Sequence, residues 1–409
     1  MSRLQAVRAL VVVVSLVASS LVIGRAVAFA SGAQGAPIKV MTIGEFGQNP
    51  ESSGAVNARF RTVNGRGGIK DADGVRHKVE AIACDAGFDA ARAQACALRA
   101  VNEGAAAVVG MNVVYSDGVW PILQTAGIPV IGTRIVTAAD ATSTVSFPLG
   151  SGLPGLLRGM PHLLAVAGAT TVAVIISDFG DATSDVLSPL QQALQASGLA
   201  AGPVVLVPRG TSDLAPYVTS AATDGVDGVV GFLAGFYGAD LLRQLRTSKF
   251  TGHTVTQASL LTPFVLGEAG GAADRTLAVS EFTPFSANVR GVRLFRKDLL
   301  DYDAALLFTE AALNSWLAAW VFERVASGLP TVDATSVLQA MSTIENLDMG
   351  GLTPPLTTTT ATVTGAPRLF NPTVTFNKVK NGVFRAVSRR FFDPFVGDFV
   401  AVSQPGTVV

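Results

Sequence analysis

The chain has 409 residues, of which 49% are hydrophobic and 15% are charged, so it holds enough apolar material for large buried cores. This composition excludes an intrinsically disordered protein, which would combine low hydrophobicity with high net charge. Thirty basic and thirty acidic residues balance, and the basic excess typical of a nucleic-acid-binding protein is missing, so we expect no nucleic acid partner.

The first thirty residues have the pattern of a secretory signal peptide. Arg3 and Arg8 supply a positive start, residues 9–23 form a mostly apolar run, and Ala28-Phe29-Ala30 offers small residues to a signal peptidase. We expect cleavage after this triplet, with 26–28 as a competing site and an uncleaved anchor helix as the alternative. No cysteine directly follows the apolar run, which excludes the usual lipoprotein anchor. The segment predicts an exported protein, periplasmic or at the cell surface.

From Pro37 onward, short apolar strands alternate with helical stretches. The first series has predicted strands at 38–43, 78–83, 106–109 and 128–131, and helices at 54–63, 89–103 and 116–126. A second series has predicted helices at 154–167, 183–197, 212–223 and 237–248, and strands at 171–177, 204–207, 226–232 and 254–257. Fully apolar strands separated by helices are typical of parallel sheets built from βαβ units. The two series, divided by the Pro/Gly segment 147–152, predict an α/β protein with two doubly wound lobes.

The C-terminal part has a different pattern. A long helix is predicted over 304–327, with Trp316 and Trp320 one turn apart on a packing face. Residues 350–367 are rich in proline and threonine and indicate a crossover loop. The runs 373–379 and 382–387 flank an Asn-Gly dipeptide, which is a strong signal for a β-hairpin.

The chain has two cysteines, Cys84 and Cys96. Disulfides persist in exported proteins, and a strand end and the following helix can bring two cysteines within bridging distance. A redox or nucleophilic cysteine would need a CxxC motif or a nearby histidine, and the sequence has neither. We therefore expect a structural disulfide between them.

The common signatures of catalysis and metal binding are missing from the sequence. It has no GxSxG elbow and no GxxxxGK[ST] loop. His77, His162 and His253 are scattered without the spacing of metal ligands. We expect no catalytic residues, no metal and no cofactor, and therefore a protein that binds without performing chemistry.

A set of short motifs occurs in a characteristic order along the chain. They are Ile38-Lys39-Val40, Asn64-Gly65-Arg66-Gly67-Gly68-Ile69, Cys84-Asp85, Gly127-Ile128-Pro129-Val130 and Ser146-Phe147-Pro148-Leu149. From Pro37 to Val387 the sequence resembles the leucine/isoleucine/valine-binding proteins. The resemblance implies a type I periplasmic-binding fold with a hinge of three crossovers. Lobe 1 would comprise 37–152 plus about 283–350, and lobe 2 about 153–282 plus 351–409, with residues 1–30 as the signal peptide.

The resemblance also implies a ligand site in loops at the carboxyl ends of the parallel strands, where open α/β sheets generally bind ligands. Ser116 aligns approximately with a family serine that accepts the ligand carboxylate. The candidate ligand-binding residues are Glu45, Gln48, Asn112, Tyr115, Ser116, Thr133, Arg134, Asp178, Phe179, Asp181, Phe236, Tyr237 and Gln257.

One departure from the family pattern bears on the ligand. The family places an acidic residue near Gln257 to bind the ligand ammonium, whereas this segment reads Thr-Gln-Ala-Ser. A buried ammonium without a partner is costly, so α-amino acids should bind poorly unless Asp178, Asp181 or Glu45 replaces the missing acid. Arg134 favours a ligand with a carboxylate instead.

These observations predict an extracytoplasmic solute-binding protein that captures a small polar metabolite, either an amino acid or a related carboxylate or amide. The resemblance implies a monomer that delivers this ligand to the membrane permease of an ABC importer. A ligand-sensing receptor component of the same fold is the alternative, and an exported α/β enzyme is a weaker one.

Overall fold

The computed structural model describes residues 34–47, 49–180, 183–233, 235 and 237–400. The predicted signal peptide lies outside these residues. In the part of the chain that is described, no helix is both long enough and apolar enough to cross a membrane.

The first part of the chain builds a parallel sheet. Its elements are β1 (Ile38–Gly44), α1 (Glu51–Gly65), β2 (Ile69–Lys70), β3 (Arg76–His77), β4 (Val79–Asp85), α2 (Ala90–Asn102), β5 (Val108–Val109), α3 (Trp120–Ala126), β6 (Val130–Ile131), α4 (Ala138–Thr142) and β7 (Ser146–Phe147). The first sheet has the strand order β4-β1-β5-β6-β7, and every neighbouring pair is parallel. The inner strands β1, β5 and β6 are buried and mostly apolar, as expected where helices cover both faces of a parallel sheet.

The middle of the chain builds a second sheet. Its elements are α5 (Gly152–Val166), β8 (Thr171–Ser177), α6 (Thr183–Ala196), β9 (Ala200–Val207), α7 (Ala215–Ala221), β10 (Gly228–Phe232), α8 (Tyr237–Thr247), β11 (His253–Gln257), α9 (Pro263–Ala269) and β12 (Leu277–Ser280). The last part contributes α10 (Arg290–Tyr302), α11 (Glu310–Ala326), α12 (Ala334–Ser342), β13 (Thr375–Lys380), β14 (Val383–Ala386), β15 (Phe391–Asp393) and β16 (Asp398–Val400). The second sheet has the order β14-β13-β12-β11-β10-β8-β9, parallel from β9 to β12 and antiparallel beyond.

Over its described residues the chain passes between the two sheets three times. After β7 it enters α5, whose Leu156 and Leu163 share a core with Val174 and Val230 of the second sheet. After β12 it returns to α10, α11 and α12, which pack in one core with strands of the first sheet. Before β13 it crosses again. This confirms the predicted α/β fold of two doubly wound halves joined by three crossovers, while the exact lobe boundaries stay a prediction.

Local features of the sequence explain several element ends. Asp89 accepts a hydrogen bond from Arg92 N over 2.8 Å and so caps α2, as the sequence predicts. Asn381 and Gly382 have φ angles of 52° and 69° between β13 and β14, the left-handed pair that an Asn-Gly hairpin turn requires. Cys84 at the end of β4 and Cys96 in α2 form the predicted disulfide, with Cα atoms 5.6 Å apart.

The predicted helix over 304–327 is wrong at its start. The helix α11 begins at Glu310, because Thr309 has extended backbone angles and its hydroxyl accepts a hydrogen bond from Ala312 N over 3.2 Å. Its predicted packing face is confirmed, since the buried rings of Trp316 and Trp320 lie 5.3 Å apart.

Candidate functional site

The candidate ligand residues lie where parallel strands of the two sheets end. In the first half, Glu45 follows β1, residues 112–116 follow β5, and residues 133–134 follow β6. In the second half, residues 178–179 follow β8, Tyr237 begins α8, and Gln257 ends β11. Gln48, Asp181 and Phe236 lie outside the described residues. The carboxyl edges of both sheets therefore carry the loops in which ligands of open α/β proteins bind.

Arg134 connects the two halves of this region. Its Nη2 donates hydrogen bonds to Gln257 Oε1 and Ser259 Oγ, both over 3.1 Å, and its Nε lies 3.4 Å from Glu281 Oε1. Nη1 makes no hydrogen bond to any described residue, and a quarter of the side chain is exposed, at 25%. The guanidinium thus stands between the sheets with both neutral and charged acceptors around it. The structure brings two of the candidate residues, Arg134 and Gln257, into direct contact.

Glu281 is a functional candidate that the sequence analysis missed. It directly follows β12, its side chain is 7% exposed, and its Oε2 accepts a hydrogen bond from Gly152 N over 2.7 Å. A Cβ added to Gly150 would lie 2.3 Å from Glu281 Oε2, so a larger residue there would displace the Glu281 carboxylate. The signal was present in the sequence as an acidic residue immediately after the short apolar run of β12.

Ser116 is part of a buried polar network. Its hydroxyl donates to Asp140 Oδ1 over 2.6 Å, and Trp120 Nε1 donates to the same oxygen over 2.9 Å. The backbone N–H groups of Val136 and Thr137 donate to Asp140 Oδ2 over 2.8 and 2.7 Å. Ser116 is fully buried, and its hydroxyl proton is taken up by Asp140. The network holds the loops after β5 and β6 together.

Asp140 was not among the predicted site residues. Its signal is the T-x-x-D spacing from Thr137, and the structure has a capping box formed by these two residues at the start of α4. Burial raises the pKa of Asp140, whereas the hydrogen bonds from Ser116, the backbone and Trp120 oppose this shift. The carboxylate accepts four donors, which is the arrangement that a buried charge needs.

Glu45 is buried at the end of β1. Its Oε1 accepts a hydrogen bond from Val114 N over 3.0 Å. Burial raises the pKa of Glu45 to about 7, and the nearby charge of Asp85 acts in the same direction. Burial thus disfavours the charged form of Glu45 in the protein without a ligand.

Asp178, Phe179 and Tyr115 are three further candidates. Asp178 Oδ1 accepts hydrogen bonds from Gly180 N over 2.8 Å and Thr183 Oγ1 over 3.5 Å. Phe179 packs edge-on against Phe232, with ring centroids 6.2 Å apart. Tyr115 is exposed, at 46%.

The two other candidates lie in the loops after β5 and β6. The N–H of Asn112 donates to Ile43 O over 3.0 Å. Thr133 is buried and its hydroxyl has no hydrogen-bond partner among the described residues.

Comparison with known sequences decides the family. The sequence pattern of the periplasmic binding protein family matches residues 44–370. The chain belongs to this family. No curated protein is significantly similar to the chain in sequence. The resemblance to the leucine/isoleucine/valine-binding proteins is confirmed, since solved structures of this kind have the same fold.

Three solved structures illustrate the similarity. A branched-chain amino acid ABC transporter protein of Thermus thermophilus with bound valine has a TM-score of 0.72 at 16% identity, covering 87% of this chain and 96% of its own. A possible leucine/isoleucine/valine-binding protein of Rhodopirellula baltica has a TM-score of 0.71 at 16% identity, covering 88% and 97%. An ABC-transporter solute-binding protein of R. palustris in complex with benzoate has a TM-score of 0.70 at 15% identity, covering 89% and 98%. At these identities the structures establish the type I periplasmic-binding fold.

Proposed function

We propose that this protein is an extracytoplasmic solute-binding protein, without catalytic activity, that captures a small carboxylate- or amide-bearing metabolite between its two halves. It then delivers this ligand, as a monomer, to the membrane permease of an ABC importer. The observation that carries the proposal is Arg134, a partly exposed cation that reaches from the first half to Gln257 and Ser259 of the second. The signal-peptide pattern and the family support the location.

Arg134 is suited to a ligand carboxylate for an electrostatic reason. Two of its acceptors, the Gln257 amide and the Ser259 hydroxyl, are neutral, and a carboxylate forms stronger, charge-assisted hydrogen bonds with a guanidinium. A ligand anion could therefore displace them, or bind Nη1, which is unused by the described residues. Valine and benzoate, which two structural neighbours contain, both carry a carboxylate.

An ammonium group on the ligand finds poor partners here. Glu281 is engaged by Arg134 and by the N–H of Gly152, burial raises the pKa of Glu45 to about 7, and Asp178 accepts hydrogen bonds within its own loop. Because an unpaired buried charge is costly, the arrangement favours an organic acid or its amide over an α-amino acid.

Native mass spectrometry of the protein purified from its own host tests the binding role. We expect a co-purified small organic acid or amide that is released on denaturation. Purified protein that carries no small molecule and binds none from a panel of organic acids and amides would contradict the proposal.

A further inference from the structure

A small cavity lies at the junction of the two halves. Its volume is about 10 Å³, and its lining includes Ser280, Glu310 and Asn377. Glu310 is the first residue of α11, which packs with the first sheet, whereas Ser280 ends β12 and Asn377 lies on β13 of the second sheet. A void of this size has room for about one water molecule.

Two buried acceptors on this cavity have no donor. Glu310 Oε2 and Asn377 Oδ1 make no hydrogen bond among the described residues, and their residues are 9% and 0% exposed. Buried polar atoms are almost always paired, directly or through an ordered water. One water that donates a hydrogen to each of the two oxygens would satisfy both.

On the other side of the carboxyl, the contacts of Ser280 Oγ accommodate an additional proton, and the Phe282 carbonyl oxygen there also accepts a hydrogen bond from Thr375 Oγ1 over 2.7 Å. Ser280 Oγ lies 2.8 Å from the Phe282 carbonyl oxygen and also contacts Glu310 Oε1, while it accepts a hydrogen bond from Phe282 N over 3.1 Å. A serine hydroxyl has a single hydrogen, so it cannot donate to both oxygens. If Glu310 carries a proton, its O–H donates to Ser280 and the Ser280 hydroxyl donates to Phe282, and every contact has a hydrogen.

The electrostatic surroundings agree with a neutral carboxyl. Burial raises the pKa of Glu310 to about 8. The hydrogen bond with Ser280 and the charge of Arg134 act to lower this pKa, whereas the charge of Glu281 acts to raise it. These two are the charged groups that act on Glu310 from the neighbouring loops. Neither forms an ion pair with it.

We propose that Glu310 is a proton-binding site at the junction of the two halves, and that one buried water bridges its Oε2 to Asn377 Oδ1. The proton makes Glu310 a donor to Ser280 and so stabilises the contact between α11 and β12. Loss of the proton leaves a buried negative charge beside Glu281 and removes that donor. The contact between the halves is therefore weakened by alkali, whatever ligand the protein binds.

The test is the pH dependence of unfolding of the purified protein and its Glu310→Gln variant. The folded protein holds the proton up to about pH 8, whereas the unfolded chain loses it near 4.5, so stability falls as pH rises through this window. Between pH 7 and pH 8 we expect the folding equilibrium constant of the wild type to fall about tenfold, with a factor of about five from Glu310 and about two from Glu45. The Glu310→Gln variant should lose the factor of about five, because its amide stays neutral and keeps a donor.

The Glu45→Gln variant is the matched control. Burial raises the pKa of Glu45 to about 7, so this residue accounts for only a small part of the change in stability above that pH. It should retain most of the decrease between pH 7 and pH 8. Parallel profiles of wild type and Glu310→Gln in this range would overturn the proposal.

Two measurements on the wild type do not depend on the folding of the variant. Carbon NMR of the glutamate carboxyl groups should show one that titrates near pH 8, and a crystal structure should show one water between Glu310 and Asn377. If every glutamate titrates below about pH 7, or the cavity is empty of water, the proposal is wrong.

Discussion

Arg134 Nη2 donates a hydrogen bond to Gln257 Oε1 over 3.1 Å, although the two residues are 123 positions apart, one following β6 of the first sheet and the other ending β11 of the second. The glutamine stands where the family pattern would place an acid for the ligand ammonium. A cation contributed by the opposite half meets it instead. This guanidinium is also paired with Glu281, and its contact with Gln257 is the basis on which we propose a carboxylate- or amide-bearing ligand.

The network around Asp140 should be sensitive to loss of one carboxylate oxygen. In Asp140→Asn the amide NH₂ faces two of the four donors, and each buried donor left unpaired costs about 1–3 kcal/mol. We expect the free energy of unfolding in urea to fall by at least about 2 kcal/mol.

Asp89→Asn is the matched control, because Asp89 caps α2 at the surface and asparagine caps equally well. Its stability should remain close to that of the wild type. Equal stabilities for the two variants would show that the Asp140 carboxylate is not required.

The disulfide should stabilise the first half. Closing a loop of this length contributes about 3 kcal/mol in the chain-entropy model, so reduction of Cys84–Cys96 should lower the urea midpoint. The double variant Cys84→Ser/Cys96→Ser should have the lower midpoint and be insensitive to reductant. Two thiols that alkylate freely in unreduced, exported protein would contradict the bridge.

Glu45 should make stability depend on pH between its two pKa values. Burial raises its pKa to about 7 from 4.5, so the folded state holds a proton that the unfolded chain has lost. The protonated carboxyl stabilises the folded state by up to about 3 kcal/mol. This stabilisation is complete below pH 4.5 and is lost as the pH rises to 7.

The Glu45→Gln variant should remove this contribution, since its carbonyl oxygen can still accept from Val114 N. Urea titrations at successive pH values measure the difference. A wild-type slope that Glu45→Gln leaves unchanged between pH 5 and pH 7 would contradict the assignment.

The two halves should close on the ligand, because closure around a ligand is a common transition of two halves joined by a hinge. X-ray scattering should show a smaller radius of gyration at saturating ligand, at a mass that corresponds to a monomer. An unchanged radius would argue that the halves are already closed without ligand.

The sequence was sufficient for the elements whose signals are local. Apolar runs predicted most strands, Asp89 predicted the start of α2, and the Asn-Gly dipeptide predicted the hairpin. The start of α11 was wrong because helical composition continues through 304–309, whereas the cap at Thr309 decides the boundary.

The site was harder to predict because its contacts join distant segments. Arg134 and Gln257 could be named individually from the strand ends, but their hydrogen bond depends on the relative position of the two sheets. Glu281 was missed because β12 has four residues and was not recognised as a strand. The role of Ser116 depends on Asp140, which is 24 positions away.

The most direct test of ligand recognition compares acids that differ by one ammonium group. Calorimetric titrations would pair leucine with isocaproate, valine with isovalerate and phenylalanine with hydrocinnamate, and include benzoate. In each pair that binds, we expect the acid without the ammonium to bind more tightly. Arg134→Gln should weaken its binding about ten- to a hundredfold, the effect of losing a charge-assisted hydrogen bond. The surface variant Arg293→Gln should bind as the wild type does. Tight leucine binding that exceeds isocaproate binding and survives Arg134→Gln would contradict recognition of a carboxylate by Arg134.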